Sequence, residues 1–506
     1  MCTGSAVTSL TREDDDVSAP SASIPEKQDT GFFGHPRGLS TLFFTELWER
    51  FSFYGMKAIL GLYLWTAVSE GGLGVDKALA LSVVAIYGTA VYMSGVAGGW
   101  LADRVWGGQR ATFYGGVLIM FGHIALALPI GITGVYLGLV LIVFGTGLLK
   151  PNISTVVGGL YDKTDTRRDA GFTVFYMAIN IGGFVSPLIT GALADGIGFH
   201  AGFAVAAVGM ALGLTQYRLG RKHLRGSAAV APNPLPHQEK GRVYGLIAGI
   251  AVVIAALGVV AYLLGDVEGV ILMISIMSIV LPIAYFTVML RSKKTLPEEK
   301  PRVVAYIPLF VAAAMFWLIF EQSASVIAEF ADSHVDNHVF GWEFPVAWFQ
   351  SINPIMIIAL APVFALLWVK LGRRAPSTPR KFAGALVLVG LSFVLMYFAS
   401  NSAADGKVTP LWLVLMFLIM TAGELMLSPV GLSVTTKLAP RAFASQTMSL
   451  WFLATSAGTG VAAQLVKFYT TSPSAYFLTL GGAAVVLGVA LALAAPLIRK
   501  LMSGVE

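Results

Sequence analysis

The chain has 506 residues, of which 56% are hydrophobic and 12% charged, and its Lys+Arg 34 against Asp+Glu 28 leaves a formal charge of +6. A soluble domain carries about 25% charged residues, so this composition excludes a soluble enzyme and a disordered protein. The apolar runs are continuous rather than alternating, which argues against an outer-membrane barrel. What remains is a polytopic helical membrane protein.

Residues 1–38 contain Asp14, Asp15, Asp16, Pro20 and Pro25 without an apolar core, so they read as a disordered tail rather than a signal peptide. The single cysteine, Cys2, lies in this tail, leaving no disulfide framework and no thiolate metal site. A span needs about 20 apolar residues. The 39 residues Ala111–Leu149 hold no Asp, Glu, Lys or Arg and therefore read as two spans, with Pro129, Gly131 and Gly134 at the turn. Applied to the whole chain, this criterion predicts fourteen helices. They begin near Leu39, Ala78, Ala111, Thr133, Ala170, Ala201, Arg242, Gly269, Val303, Glu343, Phe382, Pro410, Ala442 and Ser474.

Placing the N-terminus inside puts most basic residues on inner segments, while outer segments hold only Lys77, Lys407 and Lys467. The positive-inside rule then expects both termini to be cytoplasmic. Two inner stretches read as linkers: 221–241, with Pro232, Pro234 and Pro236, and 292–302, with Lys293, Lys294, Pro297 and Pro301. They bracket an inserted hairpin, 242–291, between six-helix halves at 39–220 and 303–501, with a short tail at 502–506. Two such halves suit a rocking transporter. Gly241, Gly245 and Gly249 favour close helix contact within the hairpin, which reads as structural.

Ionisable groups in mid-helix cost about 2.5–3.5 kcal/mol each on a translocon scale and mark function. Seven stand out: Glu46, Glu49, Arg50, Lys57, Lys150, Glu321 and Glu424. If all were ionised, four carboxylates against three cations would leave one excess negative charge, which a single proton would neutralise. On the first helix, Glu46, Glu49, Arg50, Phe53, Tyr54 and Lys57 share one stripe at 100° per residue. Glu46 and Arg50 also form a favourable i, i+4 pair. Arg50 sits about 15 Å along this helix, too deep to snorkel to the headgroups.

The run Glu46-Leu-Trp-Glu49-Arg50-Phe-Ser-Phe-Tyr54-Gly resembles the E-x-x-E-R-F-x-x-Y-G motif of proton-dependent oligopeptide transporters, a branch of the major facilitator superfamily. The resemblance continues in Gly98-Gly-Trp-Leu-Ala-Asp103-Arg104 with Arg110, in Phe175-Tyr-Met-Ala-Ile-Asn180, and in Gly423-Glu424-Leu-Met-Leu-Ser-Pro429. It implies an all-α integral membrane protein with a major facilitator fold, two six-helix bundles plus the inserted hairpin of bacterial members. By resemblance, Glu46, Glu49, Arg50, Lys150 and Glu321 take part in proton coupling. Arg50, Lys57 and Lys150 would face a peptide carboxylate. Glu424, Asn180 and Asn353 would face its ammonium, and Tyr54, Tyr92, Trp317 and Trp451 would line the walls. Lys57 stands where many relatives carry arginine, and a point charge lacks the bidentate fork. Asp103, Arg104 and Arg110 resemble a conformational latch.

The expected function is therefore proton-coupled import of di- and tripeptides across the cell (inner) membrane by alternating access. Expected partners are peptides, protons and membrane lipid, with no cofactor and no nucleic acid. A related facilitator for nitrate or another small anion would also use the three cations, but gains nothing from Glu424. A membrane-embedded peptide hydrolase using Glu321, Glu424 and a metal lacks a His/Cys ligand cluster. There is no G-x-x-x-x-G-K-[ST], H-E-x-x-H or G-x-S-x-G motif. Asp162-Lys-Thr-Asp-Thr166 only faintly resembles an ATPase phosphorylation site. His123, in mid-span, reads as a hydrogen-bonded packing residue rather than a proton relay.

Overall fold

A computed structural model describes residues 29–502, apart from 163–164, 166, 225–228, 237, 243, 246–247, 250–255, 257–265 and 340. Most of the expected first hairpin helix, and residues 1–28 and 503–506 of the tails, lie outside the described residues. The first half comprises α1 Arg37–Trp65, α2 Lys77–Leu101, α3 Gly108–Ala127, α4 Ile132–Gly158, α5 Arg168–Gly196 and α6 Phe199–Gly220. The return helix of the hairpin is α7, Val267–Arg291. The second half comprises α8 Lys300–Phe320, the short α9 Val326–His334, α10 Ile352–Leu371, α11 Thr378–Ser402, α12 Leu411–Leu438, α13 Ala444–Thr471 and α14 Pro473–Leu501.

Among the described residues, twelve helical segments are long and apolar enough to cross a membrane. The chain is a multi-pass membrane protein. Helix α1 has the length of a span but is not among those twelve, because it carries Glu46, Glu49, Arg50 and Lys57. All four are buried. Large apolar side chains instead face outward, as at Leu366, Val369 and Leu493, where hydrocarbon rather than water is the solvent.

We call the end where α1 begins the tail side and the opposite end the loop side. On the loop side the halves are stitched together. Ser82 Oγ of α2 donates to Ala463 O of α13 at 3.0 Å, Thr89 Oγ1 to Thr459 Oγ1 at 2.9 Å, and Ser456 Oγ to Thr89 O at 3.1 Å. Trp348 Nε1 and Ser351 Oγ, just before α10, donate to Leu188 O and Phe184 O of α5 at 3.1 and 2.7 Å. On the tail side the halves part. The tail-side half of α10 is exposed on nearly every face, with Pro362, Ala365, Leu367 and Lys370 exposed in addition to the hydrocarbon-facing Leu366 and Val369.

Three expectations need correction. The tenth helix does not begin near Glu343: β1 His338–Val339 pairs with β2 Trp342–Glu343, and helix α10 follows a 3-10 stretch, Val346–Ser351. Gly341, at φ +80°, supplies the left-handed residue this hairpin needs. The disordered tail does not extend to residue 38, because Phe32 and His35 bridge and the buried His35 ring hydrogen-bonds Tyr161 at 3.1 Å. His123 is fully buried, but neither of its ring nitrogens has a hydrogen-bond partner among the described residues.

Candidate functional site

Helix α1 is seated against α5 by Gly182, where a Cβ would lie 2.6 Å from Leu47 O and 3.0 Å from Arg50 Cβ. That close approach buries the charged stripe. Arg50 Nε lies 3.2 Å from Glu46 Oε1 and also donates to Glu49 Oε2. One guanidinium nitrogen thus serves two carboxylates. Glu46 Oε2, Glu49 Oε1 and Arg50 Nη2 are buried without hydrogen-bond partners among the described residues. The guanidinium also lies 5.2 Å from the Phe53 ring centroid and 6.0 Å from that of Tyr54, at the long end of cation–π range.

A second cluster joins the two halves. Helix α8 ends at Phe320 and continues as a 3-10 turn, Glu321–Ala324, before α9. Glu321 therefore sits at the negative end of a helix dipole, an unfavourable place for a carboxylate. Lys57 of α1 offsets this: Nζ lies 2.5 Å from Glu321 Oε2. Tyr92 OH donates to Glu321 Oε1 at 3.1 Å, and Lys150 Nζ stands 4.5 Å from the Tyr92 ring centroid. Lys150 lies within electrostatic reach of Arg50, Glu49, Glu321 and Glu46, yet among the described residues it forms no ion pair. Pro151 follows it inside α4, and Asn152 Nδ2 ties this segment to α2 by donating to Gly98 O at 3.3 Å.

The third cluster belongs to the second half. Asn353 Nδ2 of α10 donates to Glu424 Oε2 and Thr421 Oγ1 of α12, both at 3.0 Å. Among the described residues Glu424 Oε1 accepts no hydrogen bond. Tyr54 packs edge-on to Phe53, with its ring centroid 6.0 Å from the Arg50 guanidinium. Trp317 packs edge-on to Phe316 and Phe320, and its buried Nε1 has no partner among the described residues. Asn180 donates to Tyr176 O at 3.1 Å within its own helix. Trp451 is not brought into these clusters by its ring contact: it packs over the bare backbone of Gly431 and edge-on to Phe382. Asp103, Arg104 and Arg110 lie at the tail-side turn between α2 and α3, apart from the charge clusters.

Sequence reasoning missed a loop-side network. Lys77 Nζ donates to Glu329 Oε1 at 2.7 Å and to Ser333 Oγ at 2.9 Å, and Tyr469 OH donates to Glu329 Oε2 at 2.5 Å. Trp65 Nε1 donates to Asp332 Oδ2 at 3.0 Å. Glu329 lies in the apolar run Val326-Ile-Ala-Glu329-Phe-Ala331, the same signal that picked out Glu321.

The arrangement buries two carboxylates against one guanidinium and pairs Glu321 with Lys57 across the two halves. Residues 109–483 match the POT family. An uncharacterized transporter, YclF, of Bacillus subtilis (strain 168) is 51% identical, aligning over 96% of this chain and 98% of its own. A di-/tripeptide transporter of Lactococcus lactis subsp. cremoris is 43% identical, over 95% of this chain and 99% of its own. The crystal structure of a peptide transporter POT in complex with sulfate superposes with a TM-score of 0.91 at 54% identity, covering 94% of this chain and 98% of that one. A POT family transporter in complex with 5-aminolevulinic acid gives 0.89 at 42% identity, covering 93% and 98%. Matched along most of its length and carrying the charge stripe in folded form, this chain belongs to the POT family of transporters.

Proposed function

We propose that the protein imports di- and tripeptides with protons by alternating access across the cell (inner) membrane, with both termini in the cytoplasm. The loop side is then external, and the structure is the inward-open state. The observation that carries this reading is the pairing of Glu46 and Glu49 on one Arg50 nitrogen, in the same polar interior as Lys57, Lys150 and Glu424. Two buried carboxylates sharing one guanidinium retain a net negative charge, which is costly in a low dielectric. A proton on either one removes that cost. The peptide carboxylate would be met by Lys57 and Lys150, and its ammonium by the open oxygen of Glu424. A bound carboxylate competing for Lys57 would loosen its hold on Glu321 and so release one link across the external side. Asp103, Arg104 and Arg110 would act as a switch at the cytoplasmic turn. Glu424, poised by Asn353, supports a substrate with an amino group over a nitrate-like anion.

The test is uptake of labelled di-alanine into proteoliposomes with an acidic exterior and an inside-negative potential. The expected result is accumulation above equilibrium that a protonophore abolishes; uptake that only equilibrates would remove the proton coupling. Glu46→Gln should abolish accumulation while peptide-for-peptide exchange persists, and intact accumulation would exclude Glu46 as an essential coupling residue. Glu424→Gln should weaken binding of free-amine dipeptides about tenfold, or ~1.4 kcal/mol, and of N-acetylated dipeptides much less. Equal losses would remove the ammonium role.

A further inference from the structure

The tail-side corner between α10 and α11 carries charge that the protein does not answer. Gly372 ends α10 at φ +47°, in the left-handed region that favours glycine, and reverses the chain. Lys370 and Arg374 lie on one arm of the corner and Arg380 and Lys381 on the other; Lys370, Arg374 and Arg380 are exposed. Lys381 clasps the two arms, because its Nζ stands 4.4 Å from the centroid of the Trp368 ring, well inside cation–π range. None of the four cations has a carboxylate partner among the described residues. The chain supplies no acid nearby in sequence either, with no Asp or Glu between Glu343 and Asp405 or between Glu424 and Glu506. Helix α14 adds to the charge. Gly481 meets Gly390 and Gly488 meets Ala383, so α14 runs antiparallel to α11 and brings its exposed Lys500 to the same end.

The same corner borders hydrocarbon. Val363, Leu366, Leu367 and Val369 are exposed on the last turns of α10, and they give way within one turn to Lys370 and Arg374. Trp368 packs edge-on to Phe364 with centroids 6.1 Å apart and stands at that boundary, the level at which tryptophan gathers in membrane proteins. The start of α11 is also open to an anion. Its N-cap Ser377 makes no side-chain cap bond, and Ser377 Oγ is shielded from solvent without a partner among the described residues. The first-turn N–H groups and the positive end of the helix dipole therefore face the same corner as the cations.

We infer that this corner is a headgroup site for an anionic phospholipid of the tail-side leaflet. The phosphate faces Lys370, Arg374 and Arg380, and the acyl chains lie along Leu366 and Val369. A soluble phosphate would find the charge but would leave the apolar approach unused, so the lipid is the occupant that both features fit. The site requires only that this end of the molecule meets a leaflet surface, so it stands independently of peptide import. Bound lipid would give the end of α10 the contacts that neighbouring helices give to other spans.

The experiment titrates the purified full chain in detergent with phosphatidylglycerol or phosphatidylcholine of identical acyl chains and counts bound lipids by native mass spectrometry. Phosphatidylglycerol is expected to fill one site at least tenfold more tightly than phosphatidylcholine. Arg374→Gln/Arg380→Gln should weaken that site about tenfold or more, since each basic residue near a membrane surface is worth roughly fivefold. Arg218→Gln/Lys222→Gln removes the same charge from the tail-side end of the first half and should leave the site unchanged. Trp368→Leu should weaken it as well, whereas Lys381→Arg, which keeps a cation over the ring, should not. Both double variants alter only exposed side chains, and an unchanged thermal midpoint without added lipid would show that they fold. Equal binding of the two lipids would overturn the site. So would equal weakening by the two double variants, which would reduce the effect to the general charge of this face. Displacement of the lipid by inorganic phosphate would make the corner a soluble-anion site and overturn the lipid assignment. Peptide uptake enters none of these readings, so its failure would bear on the proposed function alone.

Discussion

The two ends of the molecule are held by different chemistry. On the loop side, the bonds that cross between bundles are made largely by side chains: Lys57 with Glu321, Lys77 with Glu329, Trp65 with Asp332 and Thr89 with Thr459. On the tail side, the ties described stay within one body and lean on backbone groups, as where Asp103 O receives Asn233 N and Glu299 receives Arg441 N. Side-chain pairs can be exchanged for substrate, protons or water, whereas backbone ties keep each body rigid. The contrast places exchangeable ties between the bundles on the loop side and ties within a single bundle on the tail side.

Lys57→Ala should break this comparison most severely. It leaves Glu321 buried and unpaired, which costs roughly 3–5 kcal/mol, and should lower the thermal midpoint and open the loop side in spin-label distances. The double variant Lys57→Ala/Glu321→Ala should recover much of the stability, because no orphan charge remains; a double variant no better than the single would refute this account of the pair. Lys77→Ala should have a far smaller effect, about 1 kcal/mol or less, because the Lys77 side chain is 47% exposed and solvent screens the pair. Its signature should be faster loop-side opening that high external salt reproduces in the unmodified protein.

Glu299→Gln sharpens the other half of the comparison. Burial pushes the Glu299 carboxyl up, but the Arg441 and Leu296 N–H bonds, with the charges of Arg441 and Arg302, outweigh it and hold it below the ordinary value of 4.5. A depressed native pKa gives stability that is complete above the ordinary glutamate value and is lost as pH falls through the lower native one. The thermal-midpoint difference between Glu299→Gln and unmodified protein should therefore be full at pH 7 and shrink below about pH 4. Loop-side distances should not move, since this tie lies inside one body.

Much of the site was legible because hydrocarbon makes charge conspicuous. Glu46, Glu49, Arg50, Lys57, Lys150, Glu321 and Glu424 stood out against apolar runs, and helical periodicity placed the first four on one face. Glu329 carried the same signal, a lone carboxylate in an apolar run, but its partners Lys77 and Tyr469 lie far away in the chain and only the fold brings them to it. Trp451 and His123 were legible as mid-helix residues, but their surroundings were not: the first meets a bare glycine and the second finds no hydrogen-bond partner among the described residues.

The sequence by itself determined the solvent of this protein, its helical class, its division into two halves around an insert, and the identity of its charged interior. Each is a property of composition or of local period, which a single chain carries without reference to its neighbours. The tertiary structure decided which charges pair, which end of the molecule is closed, and that Asn233 and Leu235 of the proline-rich linker bond to the turn between α2 and α3. Those outcomes depend on distances between residues far apart in the chain, as with Lys57 and Glu321, whose 2.5 Å contact exists only when the two halves meet.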